Sequence, residues 1–277
     1  MKAGFGFLIW TTHVTEAHLG RLAAIKAAGY DGVEVPMFEG DPGHYARIGR
    51  AIADEGLAIA AIGVMAGGNP ISADAAERRA GAAHLDWLSD CAAALGAEVL
   101  AGPFHQPLGH FSGAGPTQEE LARLVEAHRA MADRTPRMTL SIEPLNRFEC
   151  YVLNTAAQAA AHVAAVDRPN FGYLYDTFHA NIEERDPVGV IGETIDAISY
   201  IHISENDRGT PGRGHIDFAS AIRAARRAGY DGWFTIEAFG QAMPDLAGAT
   251  RVWRPLFDDV DEVIEAGARG IRGGFDG

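Results

Sequence analysis

Tyr173-Leu174-Tyr175-Asp176 is a short apolar run that ends on a carboxylate. The same figure recurs at Ser141-Ile142-Glu143-Pro144, Tyr200-Ile201-His202-Ile203 and Phe234-Thr235-Ile236-Glu237. Each reads as a buried strand delivering one metal-capable side chain, and the four lie roughly 25 to 35 residues apart, the spacing of a strand-plus-helix unit. A (β/α)₈ barrel gathers functional groups from the C-terminal ends of separate strands in this way. Working outward, strand candidates fall at 4–9, 32–36, 57–63, 97–102, 138–143, 171–176, 199–203 and 232–237, eight in all.

Helical composition fills the intervals. Thr117 and Glu120 make a capping-box pair ahead of Leu121, Leu124, Val125, His128 and Met131 at helical spacing, which predicts a helix to Arg134. Ser72 to Leu95 is alanine-rich with Leu85, Leu88, Ala92 and Leu95 on one side. Apolar strands alternating with helices indicate parallel pairing with both faces covered. Ala27-Ala28-Gly29-Tyr30-Asp31-Gly32-Val33-Glu34-Val35 is echoed by Arg227-Ala228-Gly229-Tyr230-Asp231-Gly232-Trp233-Phe234-Thr235-Ile236-Glu237. Each copy is a helix end, a glycine stop, a turn and a strand. No Gly/Ser/Pro linker divides the chain, so residues 1–277 are expected to form a single TIM barrel domain. A doubly wound sheet is the alternative, but no glycine-rich fingerprint follows the first strand.

The chain's 277 residues, with 23 Lys+Arg against 37 Asp+Glu, carry a net charge of −14. Such a surface repels phosphate backbones and anionic membranes, which argues against nucleic-acid and membrane partners and for a neutral or small substrate. Cys91 and Cys150 make neither a disulfide framework nor a CxxC motif, so a cytoplasmic location is expected. The apolar opening from Gly4 to Trp10 is read as a first strand rather than a leader.

Glu143, Asp176, His202 and Glu237 offer three oxygens and one nitrogen, a donor set that suits Mn²⁺, Mg²⁺ or Co²⁺ better than structural zinc. Four unrelated strand-end polar residues in ion pairs are the bland alternative. Further polar groups follow the first three: Asn146, Arg147 and Glu149; Thr177, His179 and Asn181; and the loop Ser204 to His215 with its three glycines and proline. That loop reads as a substrate clamp or as a solvated connection.

Glu-Pro-Leu-Asn-Arg-Phe-Glu at 143–149, Tyr-Asp-Thr-Phe-His-Ala-Asn-Ile-Glu-Glu at 175–184 and His-Ile-Ser-Glu-Asn-Asp-Arg-Gly-Thr-Pro-Gly-Arg-Gly-His-Ile-Asp at 202–217 resemble the ketose 3-epimerases. These are the D-tagatose/D-psicose 3-epimerase and L-ribulose 3-epimerase group of the xylose-isomerase-like barrels. The resemblance is strong over 140–240. It implies that Glu143, Asp176, His202 and Glu237 bind one divalent metal, usually manganese. It also implies that Glu143 and Glu237 are the catalytic acid–base pair, and that Glu149, His179 and Arg208 hydrogen-bond the sugar near its reacting end. Inversion at C3 through a cis-enediolate needs two carboxyl groups on opposite faces of the substrate and a Lewis acid to stabilise the developing charge. Homodimers or homotetramers are implied too, with the region after Phe239 as interface.

The segments Gly63 to Asn69 and Gly102 to Leu108 depart from the better-known members, so the sugar's far end is left open. Phe7, Trp10 and Phe104 are candidate walls of that pocket, or else core. His13, His105 and His215 are weaker candidates for substrate contact; His162 reads as structural or solvated, and Cys150 has no partner that would make it a nucleophile. Rival readings are an aldose–ketose isomerase, an inosose-type dehydratase or a keto-glycoside-processing enzyme on the same barrel. More remote are an AP-site endonuclease and a non-catalytic sugar-binding protein.

Overall fold

Eight strands close on themselves in chain order: β1 (Lys2–Gly6), β2 (Gly32–Met37), β3 (Ala58–Gly63), β4 (Val99–Gly102), β5 (Thr139–Ile142), β6 (Phe171–Asp176), β7 (Ile198–Ile203) and β8 (Trp233–Ile236). Every neighbouring pair is parallel, and β8 returns to β1 through Lys2↔Trp233 to Phe5↔Ile236. This computed structural model describes residues 1–275, and the barrel with its outer helices is one domain.

Local signals account for the elements. The helix Gln118–Arg134 begins at a capping box in which Thr117 Oγ1 accepts from Glu120 N while Thr117 N donates back to the Glu120 carboxylate. The helix Ala75–Leu95 starts three residues later than the composition indicated, because Asp74 accepts from Ala76 N and sets the boundary there. The first strand ends at Gly6 rather than at residue 9. Phe7–Ile9 winds into a 3₁₀ turn closed by Trp10 N donating to Phe7 O, 2.9 Å.

Alternation divides each strand between two environments. Val33, Val35, Leu140, Ile142 and Ile201 face the helices in the main core. Ala60, Val99, Ala101, Leu174, Tyr200 and Trp233 pack together inside the barrel, so its lower interior is a filled core. Above them, side chains of the same inward parity are Glu143, Asp176, His202 and Glu237.

After β8 the chain crosses the mouth in a short helix, Pro244–Thr250. It then returns as Val260–Phe275, whose Val263, Ile264, Ala268 and Ile271 are buried against the barrel. Among the described residues no helix is long and apolar enough to cross a membrane.

Candidate active site and metal centre

Each of the four strand-end residues reaches the mouth from its own strand: Asp176 ends β6, His202 is the penultimate residue of β7, and Glu143 and Glu237 directly follow β5 and β8. All four are buried. Glu143, Asp176 and His202 each offer a donor atom within 4.8 Å of the other two. Glu237 approaches from one side, its Oε1 lying 3.5 Å from His202 Nδ1, the distance that also separates that nitrogen from Asp176 Oδ2.

The donor atoms are prepared for a cation. Asp176 Oδ1 is spent on the start of helix Thr177–Glu183, accepting from Phe178 N at 2.6 Å and His179 N at 3.2 Å. Its Oδ2 and the facing His202 Nδ1 are buried and have no hydrogen-bond partner. Two orphaned atoms on adjacent strands would each cost free energy in an empty interior, and a shared divalent ion satisfies both. A set dominated by carboxylates fits a hard cation such as Mn²⁺ or Mg²⁺.

The protein's own charges push these carboxyls apart in proton affinity. Burial, with Glu237 next, raises Glu143 well above the usual carboxylate range. Burial likewise pushes Glu237 up to about 8, with Asp176 and Glu34 adding to it against His202 and Arg208. Asp176 is different: burial raises it, but His202, His179 and Arg208 outweigh that and hold it at about 2. With no cation bound, Asp176 is therefore the carboxyl that gives up its proton most readily, and Glu143 and Glu237 are the two that hold theirs to higher pH.

Arg208 ties this group together. Its Nη1 donates to Glu237 Oε2 at 2.9 Å and its Nη2 to Glu149 Oε1 at 3.1 Å, while its guanidinium lies 3.9 Å over the Phe178 ring. The residue sits at φ 63°, the left-handed region, in the loop after β7. Glu205, fully buried, holds that loop by accepting from Asn206 N, Gly212 N and Ile216 N. The loop is therefore a built wall of the site, with Ser204, Glu205, Arg208 and Thr210 all buried.

His179 has its tautomer fixed. The backbone N–H of Asn146 can only donate, and it donates to His179 Nδ1 at 3.0 Å, so the proton sits on Nε2. Burial, then Arg208, lowers the ring to about 4 and keeps it neutral. The 3.3 Å approach of Arg208 Nη2 to His179 Nε2 thus sets two donors side by side. It is no hydrogen bond, and an acceptor oxygen reaching both would be held by them.

A cavity of about 100 Å³ joins these groups. Glu143, Glu149, His179, Arg208 and Glu237 form its polar end; Leu8, Phe38, Ile62, Val64, Pro103 and Leu246 are among its apolar walls. A wider vestibule of about 400 Å³ opens beside it past Phe148, Phe178 and Ile182.

Phe7 and Phe104 do not line this cavity. Phe7 is fully buried against Trp10, ring centroids 5.2 Å apart, because the 3₁₀ turn sends Leu8 rather than Phe7 to the mouth. Phe104 is equally buried and packs on the ring of His128 at 5.5 Å. Trp10 packs among Phe5, Phe7 and Arg21, His13 stacks on His44, and His215 bonds Asn181 on the surface. His105 is fully buried with neither ring nitrogen bonded. Cys150 is a buried thiol pushed up to about 11 by that burial, which makes it inert.

Sequence reasoning passed over Glu34. It is fully buried in β2, and its Oε2 lies 2.8 Å from His202 Nε2. A lone carboxylate between Val33 and Val35, in a strand expected to be covered on both faces, was the signal for it.

Comparison with known proteins agrees with this geometry. The family model described as "Xylose isomerase-like TIM barrel" matches residues 22–257. A ketose 3-epimerase from Arthrobacter globiformis is 35% identical over 269 residues, 95% of this chain and 93% of that protein. An L-ribulose 3-epimerase from Mesorhizobium japonicum is 32% identical over 93% of this chain and 89% of its own. The crystal structure of a D-allulose 3-epimerase from Methylomonas sp. in complex with D-allulose superposes with a TM-score of 0.90 at 29% identity, covering 98% of this chain and 96% of that one. The chain belongs to the xylose isomerase-like TIM barrel family and, within it, to the ketose 3-epimerases, carbohydrate epimerases of the isomerase class.

Proposed function

We propose that this protein inverts C3 of a free ketose, with one divalent metal, Mn²⁺ first among the candidates, held by Glu143, Asp176, His202 and Glu237. The observation that carries the reading is the placement of two carboxyls, Glu143 and Glu237, at the polar end of one cavity with Asp176 and His202 beside them. When bound, the metal supplies Lewis acidity toward the sugar's C2 carbonyl and C3 hydroxyl oxygens.

The residues do the rest. One glutamate, ionised, takes the C3 proton; the other, protonated, returns a proton to the opposite face of the resulting enediolate. Their roles exchange in the reverse reaction. His179 Nε2–H and the Arg208 guanidinium hold a sugar oxygen between them, and Glu149 keeps Arg208 in place while accepting from Asn146 Nδ2 at 2.9 Å. Arg208 also draws the Glu237 carboxylate to its reacting position. The sugar's far end extends along Ile62, Val64 and Pro103, which offer shape and exclude water but give no side-chain hydrogen bond. Two free buried cysteines suit a reducing cytoplasm, and the relatives' group suggests a homodimer or homotetramer.

The test is incubation of the Mn²⁺-loaded protein in D₂O with a panel of ketopentoses and ketohexoses. Deuterium at C3 of both the recovered ketose and its epimer is expected. Label confined to C1 or C2 overturns the reading in favour of an aldose–ketose isomerase.

A further inference from the structure

Glu34 touches neither the cavity nor solvent, yet a carboxylate buried in the middle of a barrel strand is costly unless something uses it. Its Oε2 meets His202 Nε2 at 2.8 Å across the barrel interior. An imidazole presents two nitrogens, and which one can donate electrons is set by the bond the other makes. An Nε2–H that donates to Glu34 leaves Nδ1 as the nitrogen aimed at Asp176 and Glu237, and Nδ1 is the atom without a hydrogen-bond partner.

The surroundings are shaped to hold this pair. Gly6 stands opposite Glu34 in the β1–β2 register, where a Cβ would crowd Ile236 O at 3.1 Å and only reach ordinary contact with Glu34 Oε1 at 3.4 Å. Gly4, one inward position below, leaves room that a Cβ would take from Thr235 Oγ1. That hydroxyl bonds Tyr200 at 2.7 Å, and the Tyr200 ring supports the His202 ring from beneath at 5.5 Å. Four strands thus contribute to the placement of one imidazole.

We propose that Glu34 is a positioning residue which fixes His202 with its proton on Nε2 and its Nδ1 lone pair directed at the metal position. The proposal rests on the metal reading given above. Glu34 holds the ring, and makes no contact with the sugar.

Mn²⁺ binding, followed by the EPR signal of the free ion, tests it in the wild type and in Glu34→Ala and Glu34→Gln. Glu34→Ala is expected to weaken Mn²⁺ binding by about 10- to 100-fold. Glu34→Gln, whose amide oxygen still accepts from Nε2, should recover most of that loss. Wild-type affinity in Glu34→Ala overturns the proposal. The second measurement needs no variant: in ¹⁵N-histidine-labelled wild type loaded with Mg²⁺, His202 should carry its proton on Nε2. A proton on Nδ1 overturns the proposal even if Glu34→Ala fails to fold. A wild type that binds no Mn²⁺ at all would instead bring down the metal reading itself.

Discussion

Strands β5 to β8 and strands β1 to β4 close one barrel but send different chemistry to its mouth. The second half delivers Glu143, Asp176, His202 and Glu237, with Glu149 and Arg208 in the loops just beyond and His179 in the short helix Thr177–Glu183. The first half delivers Leu8, Phe38, Ile62, Val64 and Pro103 to the same cavity. Both halves are buried and packed against helices, so the difference is not one of structural role. On the proposed function it separates the reacting end of a substrate from its far end: the charged half would determine which bond is made and broken, and the apolar half which molecule fits. Glu34 crosses that line, coming from the first half and pairing with His202 of the second.

The hardest test of this division is to remove the proton carriers from the charged half. Glu143→Gln and Glu237→Gln are each expected to lower turnover by at least the roughly 10²–10⁴-fold that general acid–base catalysis supplies, because each also loses an anionic metal donor. C3 exchange with D₂O should fall with turnover in both. If either variant epimerises at the wild-type rate with metal still bound, that glutamate is not a proton carrier and the half-and-half division fails at its centre.

Arg208 offers a test of stability within the same half. Its guanidinium compensates two carboxyl groups, the buried Glu237 and the half-buried Glu149. Arg208→Ala leaves both without their cation, a change that costs on the order of 3–5 kcal/mol when a buried pair is broken. Thermal unfolding of the metal-free protein should register it as a clear drop in melting temperature. Arg208→Lys should restore part of the stability, since an ammonium cannot bond both carboxylates in the fixed fork of a guanidinium. A melting temperature unchanged in Arg208→Ala would show that the loop after β7 is held by Glu205 alone.

The same contrast explains what could be read in advance. The four strands that carry Glu143, Asp176, His202 and Glu237 were legible because each ends an apolar run on a polar side chain, and such a contrast survives in one dimension. The capping box at Thr117 and the glycine stops were legible for the same local reason. The apolar wall was not. Leu8 and Phe7 are adjacent and equally hydrophobic, and only the 3₁₀ turn closed by Trp10 N decides which of them faces the cavity. Phe104 reads like a pocket aromatic until His128 and the helix that carries it are seen covering it. Glu34 was visible as an oddity, but its partner lies 168 residues away in sequence, and pairing at that distance is a property of the closed barrel.

Where the two halves meet, behind β4 and β5, protonation is excluded instead of exploited. His128 Nε2 donates to Phe104 O at 3.3 Å, so its Nδ1 accepts from His162 Nε2–H at 2.8 Å, and both rings are neutral. Burial lowers His162 to about 4, and burial followed by His162 lowers His128 well below its usual value. A histidine whose pKa is depressed on folding contributes stability in full above its unfolded value of about 6.5. That contribution declines as pH falls and is lost once pH passes the folded value. His162→Gln does not titrate, so wild type should lose stability relative to it from about pH 6.5 down to about pH 4, by on the order of 3 kcal/mol. Urea unfolding at a series of pH values measures this. A wild-type-to-variant difference that stays flat across the window would mean that the pair is not kept neutral.

The smallest expected effect lies in the apolar half, and it sharpens the division most. Val64, just past β3, lines the cavity and contributes only methyl groups to it. On the proposed function, Val64→Ala removes apolar contact from the sugar's far end and leaves Glu143, Glu237 and Arg208 untouched. One methylene in an apolar pocket is worth about 1–3 kcal/mol of discrimination. A wall that is partly open to solvent should show the low end, roughly a tenfold change in the ratio of kcat/KM for a ketohexose over a ketopentose. The change should appear as a shift in that ratio, with deuterium still entering at C3 in every accepted sugar. A uniform fall for all sugars would place Val64 with the reacting end. That outcome would mean the first four strands help set the chemistry as well as the fit.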